Sequence, residues 1–170
     1  MIKRYGIIGC GMMGQEHLRN INLINDAIAY AIYEPNINMQ KMAKKLAPEA
    51  RFYDSLDKIL SDENIDCWLI VSPNHLHMDQ LEQLAGIPHR PILVEKPLFT
   101  DIKHLERIKN FSIKYSAPVW VAMEYRYMPP IAELIKRKNN VAGSIKMLSI
   151  REHRFPFLPK VDDWNRFNKN

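Results

Sequence analysis

Short β-branched or aromatic runs alternate along this chain with stretches whose apolar positions recur every three to four residues. Tyr5-Gly6-Ile7-Ile8 reads as a buried strand that runs into a glycine-rich turn, and Met13, Leu18, Ile21 and Ile24 mark the helix after it. Ile28 to Tyr33 is a second strand, followed by a helix carrying Met39, Met42, Ala43 and Leu46. Arg51-Phe52-Tyr53 is a short third strand. Ser55 then caps a helix with Leu56, Ile59 and Leu60 on its inner face. Cys67 to Val71 is a fourth strand, and His77 to Ala85 is a helix with Met78, Leu81 and Leu84 on one face, stopped at Gly86. Pro91 to Val94, a helix lined by Leu105, Ile108, Phe111 and Tyr115, and a strand from Val119 to Ala122 continue the pattern. A last helix opens near Pro129-Pro130, where proline suits a first turn, and carries Ile131, Leu134 and Ile135.

Strands that alternate with helices predict right-handed βαβ units, hence a doubly wound α/β domain with a parallel sheet and helices on both faces. That domain is expected over residues 1–125. After Gly143 the pattern changes. Ile145 to Phe155 alternates imperfectly, as a half-exposed strand does, and Pro159 to Asn170 reads as loop. A lone strand cannot close a domain. Residues 126–170 are therefore expected to be a connecting helix and the first strand of a second domain that this chain begins without finishing.

Composition narrows the class. The chain has 170 residues, 46% of them hydrophobic and 25% charged, which fits a globular protein rather than a disordered or fibrous one. No apolar run approaches the roughly 18 residues that a membrane span needs, so no membrane partner is expected. The first residues pass straight into a strand pattern, without the apolar stretch and cleavage site of a secretory signal. Cys10 and Cys67 lack metal-ligand spacing and are read as reduced core thiols, which points to a cytoplasmic protein with no metal site. The net charge of +5 is uneven, with −2 over residues 1–100 and +7 over residues 101–170. The cations are mixed with acids, and the one tight cluster, Lys136-Arg137-Lys138, reads as a solvated helix end. Nucleic acid is therefore not expected as a partner.

The glycine turn carries the first chemistry. Gly9-Cys10-Gly11-Met12-Met13-Gly14 fits G-x-G-x-x-G, and it follows a predicted strand and opens a predicted helix, which is the context the pattern requires. Gly9 allows a tight turn, Gly11 lets a pyrophosphate approach the backbone, and Gly14 allows close packing of helix on strand. The first N–H groups of the helix, at Met12 and Met13, face the phosphates with a partial positive charge behind them. Glu34 ends the second strand, 20 residues after Gly14, where a carboxylate accepts the hydroxyls of an adenosine ribose and repels a 2′-phosphate. Pro35-Asn36 follows it rather than an arginine, so NAD is expected over NADP. The competing reading is a glycine-rich loop of an α/β fold that binds no nucleotide, with Glu34 a solvated strand end.

Two further motifs follow predicted strands, at the carboxyl ends where open α/β sheets bind ligands. Ser72-Pro73-Asn74 leads the chain over the cofactor groove, and His75 and His77 flank the next helix start. His77 on its own residues reads either as a capping or packing histidine or as a site residue. In Glu95-Lys96-Pro97, Lys96 comes straight after a buried-type strand. It reads either as an amine directed at a substrate hydroxyl or as one half of a surface pair with Glu95.

Taken in order, the glycine turn, Glu34, Ser72-Pro-Asn-x-x-His77, Glu95-Lys96-Pro97 and Met123-Glu-Tyr-Arg126-Tyr resemble the Gfo/Idh/MocA oxidoreductases, over essentially the whole chain. The resemblance implies a Rossmann domain with Lys96 as the catalytic or substrate-positioning lysine. It places Glu95 near the nicotinamide, Pro97 in a cis-proline turn, and Asn74 and His77 along the cofactor groove. Glu124 stands where many relatives carry Asn. Arg126 is implied as a substrate-positioning residue, with a plain structural role as its alternative. The implied C-terminal domain is α+β with an antiparallel sheet that supplies substrate contacts and a homo-oligomer surface. In relatives with a segment like Trp164 to Phe167, the catalytic histidine follows shortly. The chain is thus expected to be an N-terminal fragment without that histidine.

The activity implied is hydride transfer between NAD and a CH–OH carbon of a sugar, polyol or related small molecule. The alternative is a non-catalytic NAD-binding module or regulator, complete at this length.

Overall fold

In the computed structural model, which describes residues 1–138 and 146–151, neighbouring residues of the inner strands face opposite ways into two apolar cores. Strand β1 (Lys3–Ile8) sends Ile8 into one and Ile7 into the other; β4 (Cys67–Ile70) divides Trp68 and Ile70 from Leu69 in the same way. A strand buried on both faces is what a parallel sheet between two helical layers requires. One layer holds α1 (Met12–Ile21) and α2 (Ile37–Leu46), with Leu18, Ile21 and Ala43 packed inward. The other holds α3 (Leu56–Leu60), α4 (His77–Ala85) and α5 (Leu105–Lys114), which bury Ile59, Met78, Leu81, Leu84 and Phe111.

With β2 (Ala27–Tyr33), β3 (Arg51–Tyr53), β5 (Ile92–Glu95) and β6 (Val119–Ala122), the sheet has six parallel strands in the order β3-β2-β1-β4-β5-β6. This is the doubly wound Rossmann arrangement that the alternating pattern predicts. The order reverses between β1 and β4, whose Ile8 and Ile70 lie side by side, and a crevice opens at such a reversal beyond the carboxyl ends of the strands.

Local signals set several boundaries. Ser55 caps α3 by accepting from the Lys58 N–H at 3.3 Å, and Asn36 caps α2 by accepting from the N–H groups of Asn38 and Met39. The inner face of α1 differs from the one predicted. Gly14, Gln15, Leu18 and Ile21 are buried, whereas Met13 is 43% exposed and Ile24 lies beyond the helix. Met13 stands about 100° round the helix from Gly14, off the stripe that Leu18 and Ile21 define.

Among the described residues, one compact unit spans Met1–Ala122 and a second begins at Met123. Described residues of the second unit form a 3₁₀ turn, Glu124–Tyr127, and helix α6 (Pro129–Arg137), in which Arg137 pairs with Glu133 one turn earlier. The strand expected from Ile145 to Phe155 is corrected in part. Lys146 to Arg151 are exposed and form no strand, and the rest of that span lies outside the described residues. A strand exists through its ladder, and no described segment pairs with these residues.

Leu81 is fully buried between α4 and the sheet. Leu81→Ala in the intact protein should cost roughly 2–5 kcal/mol, read as a lower urea midpoint; a loss below about 1 kcal/mol would contradict this placement of α4.

Candidate active site

Gly9 leaves β1 with φ at +87°, a left-handed conformation that a side chain disfavours. It also lies against the end of β4. A Cβ on Gly9 would stand 2.6 Å from both N and Cα of Ser72, so only glycine lets the first loop close on the fourth strand. Gly11, the residue before α1, has the opposite surroundings, with nothing within 4 Å of where its Cβ would be. Gly14 is tight again, 3.0 Å from the Gly9 carbonyl oxygen. The three glycines therefore serve a turn, an open cradle and a helix contact, as the motif requires.

The floor of that cradle is positive. The first helical bond of α1 runs from the Gln15 N–H to the Gly11 carbonyl at 2.9 Å, and no side chain caps the helix. Met12, Met13 and Gly14 thus precede the first turn's ladder and present their N–H groups beside the open space over Gly11. The Met12 and Met13 side chains are half exposed, so the backbone of this turn is what the cradle offers. Glu34 closes one side. Its Oε2 accepts from the Cys10 N–H at 2.5 Å and its Oε1 from the Asn36 N–H at 2.8 Å. An ionised carboxylate has about four acceptor positions, so two remain for the vicinal hydroxyls of a ribose. A phosphate beside this buried anion would meet like charge.

Cys10, wholly buried, has its thiol pushed up to about 12 by burial, reinforced by the Glu34 charge; burial likewise raises the Cys67 thiol to about 11. Both are free and neither forms thiolate near neutral pH. No described residues cluster in a way that could hold a metal ion.

Across the crevice, Ser72 follows β4 and is gripped by α4. Its hydroxyl donates to Gln80 Oε1 at 2.5 Å, and its carbonyl oxygen is 3.0 Å from His77 Nε2. Pro73 and the turn Asn74–Leu76 are half-buried above it. The other His77 nitrogen, Nδ1, is 2.8 Å from the Pro97 carbonyl. With the ring fully buried and both nitrogens against carbonyls, none is left for a ligand, so a place for His77 in direct contact with a cofactor does not fit. What it contacts is the backbone of the two flanking motifs, at Ser72 and Pro97.

Glu95 and Lys96 separate in environment. Glu95 is buried and its Oε1 is 2.8 Å from His17 Nε2 on α1, while Oε2 accepts from the Lys96 N–H at 3.2 Å. Burial pushes the Glu95 carboxyl up, but His17 and the Lys96 backbone outweigh it and hold the group below the usual carboxylate range. Glu95 is therefore paired with His17 rather than in a surface pair with the Lys96 amine. The Lys96 side chain is exposed at the carboxyl edge of β5, and the Lys96–Pro97 bond is cis, as the resemblance implies. Arg126 lies in the 3₁₀ turn of the second unit, while all the other predicted site residues belong to the first.

His17 and Gln80 are the residues that the motifs miss. His17 stands one turn after Gly14 and meets a partner 78 residues away; Gln80 is, with His77, a polar member of a buried stripe that also holds Leu81 and Leu84. A polar residue on an inward stripe is the one signal that could have found either.

Because the native Glu95 carboxyl lies below its ordinary value of about 4.3, its stabilisation is present above that value and lost as pH falls through the native one. In His17→Ala burial acts unopposed by the imidazole, so the carboxyl should rise and the acid-side slope of stability between about pH 5 and 3 should flatten or reverse. The variant should also lose roughly 1–3 kcal/mol at neutral pH. Parallel urea-midpoint profiles for the two proteins would contradict the pairing.

Residues 3–123 match the family described as an oxidoreductase family with an NAD-binding Rossmann fold. An inositol 2-dehydrogenase of Paracoccus denitrificans is 31% identical over 160 residues, 92% of this chain and 47% of that protein. A myo-inositol 2-dehydrogenase of Thermotoga maritima is 27% identical over 161 residues, 94% of this chain and 47% of that protein. Among solved structures, the myo-inositol dehydrogenase of Lactobacillus casei in complex with NAD(H) and myo-inositol superposes with a TM-score of 0.75 at 25% identity, over 82% of this chain and 42% of that one. The chain spans less than half the length of these relatives. The family match and the glycine cradle cover the same compact unit, and the chain belongs to the Gfo/Idh/MocA oxidoreductases.

Proposed function

We propose that the intact protein is an NAD-dependent dehydrogenase acting on a CH–OH carbon of a polyol or sugar, with inositols as the first substrates to try. The observation that carries this reading is the cradle over Gly11, open where a Cβ would sit and flanked by the N–H groups of α1 and the anchored Glu34. The names of the relatives support the substrate class.

NAD, when bound, supplies the hydride acceptor that no side chain provides. In this reading the Gly11–Gly14 N–H groups hold the pyrophosphate, Glu34 takes the ribose hydroxyls, and Ser72, Pro73 and Asn74 line the groove toward Glu95 and Lys96. Lys96 donates a hydrogen bond to the substrate oxygen, and its charge favours the alkoxide as the hydroxyl proton departs. We assign the proton-accepting base to the C-terminal histidine segment that the resemblance implies, and a substrate contact to Arg126. Assembly through a C-terminal sheet belongs to the same proposal. So does a cytoplasmic location, which the two free thiols support. No described helix is long and apolar enough to cross a membrane.

Lys96→Ala in the intact protein should lower kcat on myo-inositol by roughly 10²-fold or more while NAD affinity, measured by calorimetry, stays within a few fold. Unchanged turnover would remove Lys96 from the reaction. NAD binding with no turnover across a polyol panel would favour the regulator instead. Glu34→Gln keeps the shape of the ribose contact and drops its charge, so the preference for NAD over NADP should shrink by about tenfold; an unchanged ratio would contradict the role of Glu34.

A further inference from the structure

The two flanks of α1 meet different neighbours. Gly14, Leu18 and Ile21 form its buried stripe, and Gln15 and Met13 stand about 100° to either side of Gly14. On the Gln15 flank the helix meets α2, with Gln15 Nε2 3.6 Å from Met39 Sδ. On the other flank His17, which shares a face with Met13 four residues earlier, comes within 2.8 Å of Glu95 Oε1 at the end of β5. Met13 therefore belongs to the flank that looks toward β5, one turn closer than His17 to the glycine turn. Helical side chains lean toward the N-terminus, which brings this one toward the open space beside Gly11. Left 43% exposed there, the thioether contributes little to the core.

Strand order decides which half of a dinucleotide passes it. Glu34 follows β2, on one side of β1, while β4 and β5 lie on the other. With the adenosine ribose at Glu34 and the pyrophosphate over Gly11, the nicotinamide half falls on the β4–β5 side, the side of Met13 and Lys96. A thioether packs well on an aromatic ring, and its rotatable bonds let it follow one. Met12 supplies the contrast, because it stands about 160° round from Gly14 and points away from the sheet.

We infer that the Met13 side chain is the apolar wall for the nicotinamide ring, and so a specificity-determining residue for that half of the cofactor. The inference rests on the NAD-binding reading given above.

Methionine-methyl correlation spectra of the intact protein, with the Met13 signal assigned by its loss in Met13→Leu, test it without turnover. NAD should shift the Met13 methyl saturably, and ADP-ribose, which lacks the nicotinamide, should shift it less than half as far; the Met12 methyl should respond alike to both. Equal Met13 shifts with the two ligands, or no Met13 shift while the glycine-turn amides saturate with NAD, would overturn the inference. Glycine-turn amides that saturate with neither ligand would overturn the NAD-binding reading and this inference with it. Met13→Ala keeps the backbone N–H, so NAD should bind about three- to tenfold more weakly in calorimetry while ADP-ribose affinity stays within about twofold, and Met13→Leu should restore most of the loss. An equal loss for both ligands in Met13→Ala, or none for NAD, would also overturn it.

Discussion

The structure turns on one contact in which backbone lies against backbone, where Gly9 leaves β1 and meets the Ser72 main chain at the end of β4. No side chain fits between them. That contact closes the crevice at the point where strand order reverses, and the polar residues of the rim extend from it. Glu34 at the end of β2 takes the Cys10 N–H beside Gly9. Ser72 is held by His77 and Gln80, His77 reaches Pro97, and Glu95 returns to His17 on α1, the helix that the glycine turn opens. The ends of β1, β2, β4 and β5 are thereby tied into one rim by groups that are nearly all buried. Buried polar groups of this kind stabilise only when each finds its partner, so the rim holds its shape as a unit.

That rim also sorts charge by task. The buried carboxylates, Glu34 and Glu95, are fixed in place by backbone N–H groups and, for Glu95, by an imidazole. The thiols are raised well above neutral pH and are chemically quiet. The cation of the motif, Lys96, is exposed at the carboxyl edge of β5. Its anchor, the Pro97 turn, is held from below through the Pro97 carbonyl.

Much of this was legible in the sequence, and what was not has a common cause. The element order followed from periodicity because each element buries one stripe or both faces, and β3, α4, β6 and the start of α6 fall where their residues placed them. The glycine turn and the place of Glu34 were readable because each is local, one turn and one strand end at a fixed spacing. His17 and Gln80 were not, since their partners come from other elements and no spacing rule connects them. The sequence left His77 open between a packing histidine and a site residue, because its burial against the Ser72 and Pro97 carbonyls depends on how α4 packs. The strand foreseen over Ile145 to Phe155 failed over Lys146 to Arg151 for the complementary reason: alternation proposes a strand, and only a partner makes one.

The central claim is that the crevice above Gly9 and Ser72 is a dinucleotide cradle, and amide chemical-shift mapping during titration with NAD addresses it most directly. The account predicts saturable shifts at Gly11, Met12, Met13 and Gly14, at Ser72 and Asn74, and at Lys96, with the α5 amides unmoved. Shifts that fail to saturate, or that cluster away from the glycine turn, would contradict it.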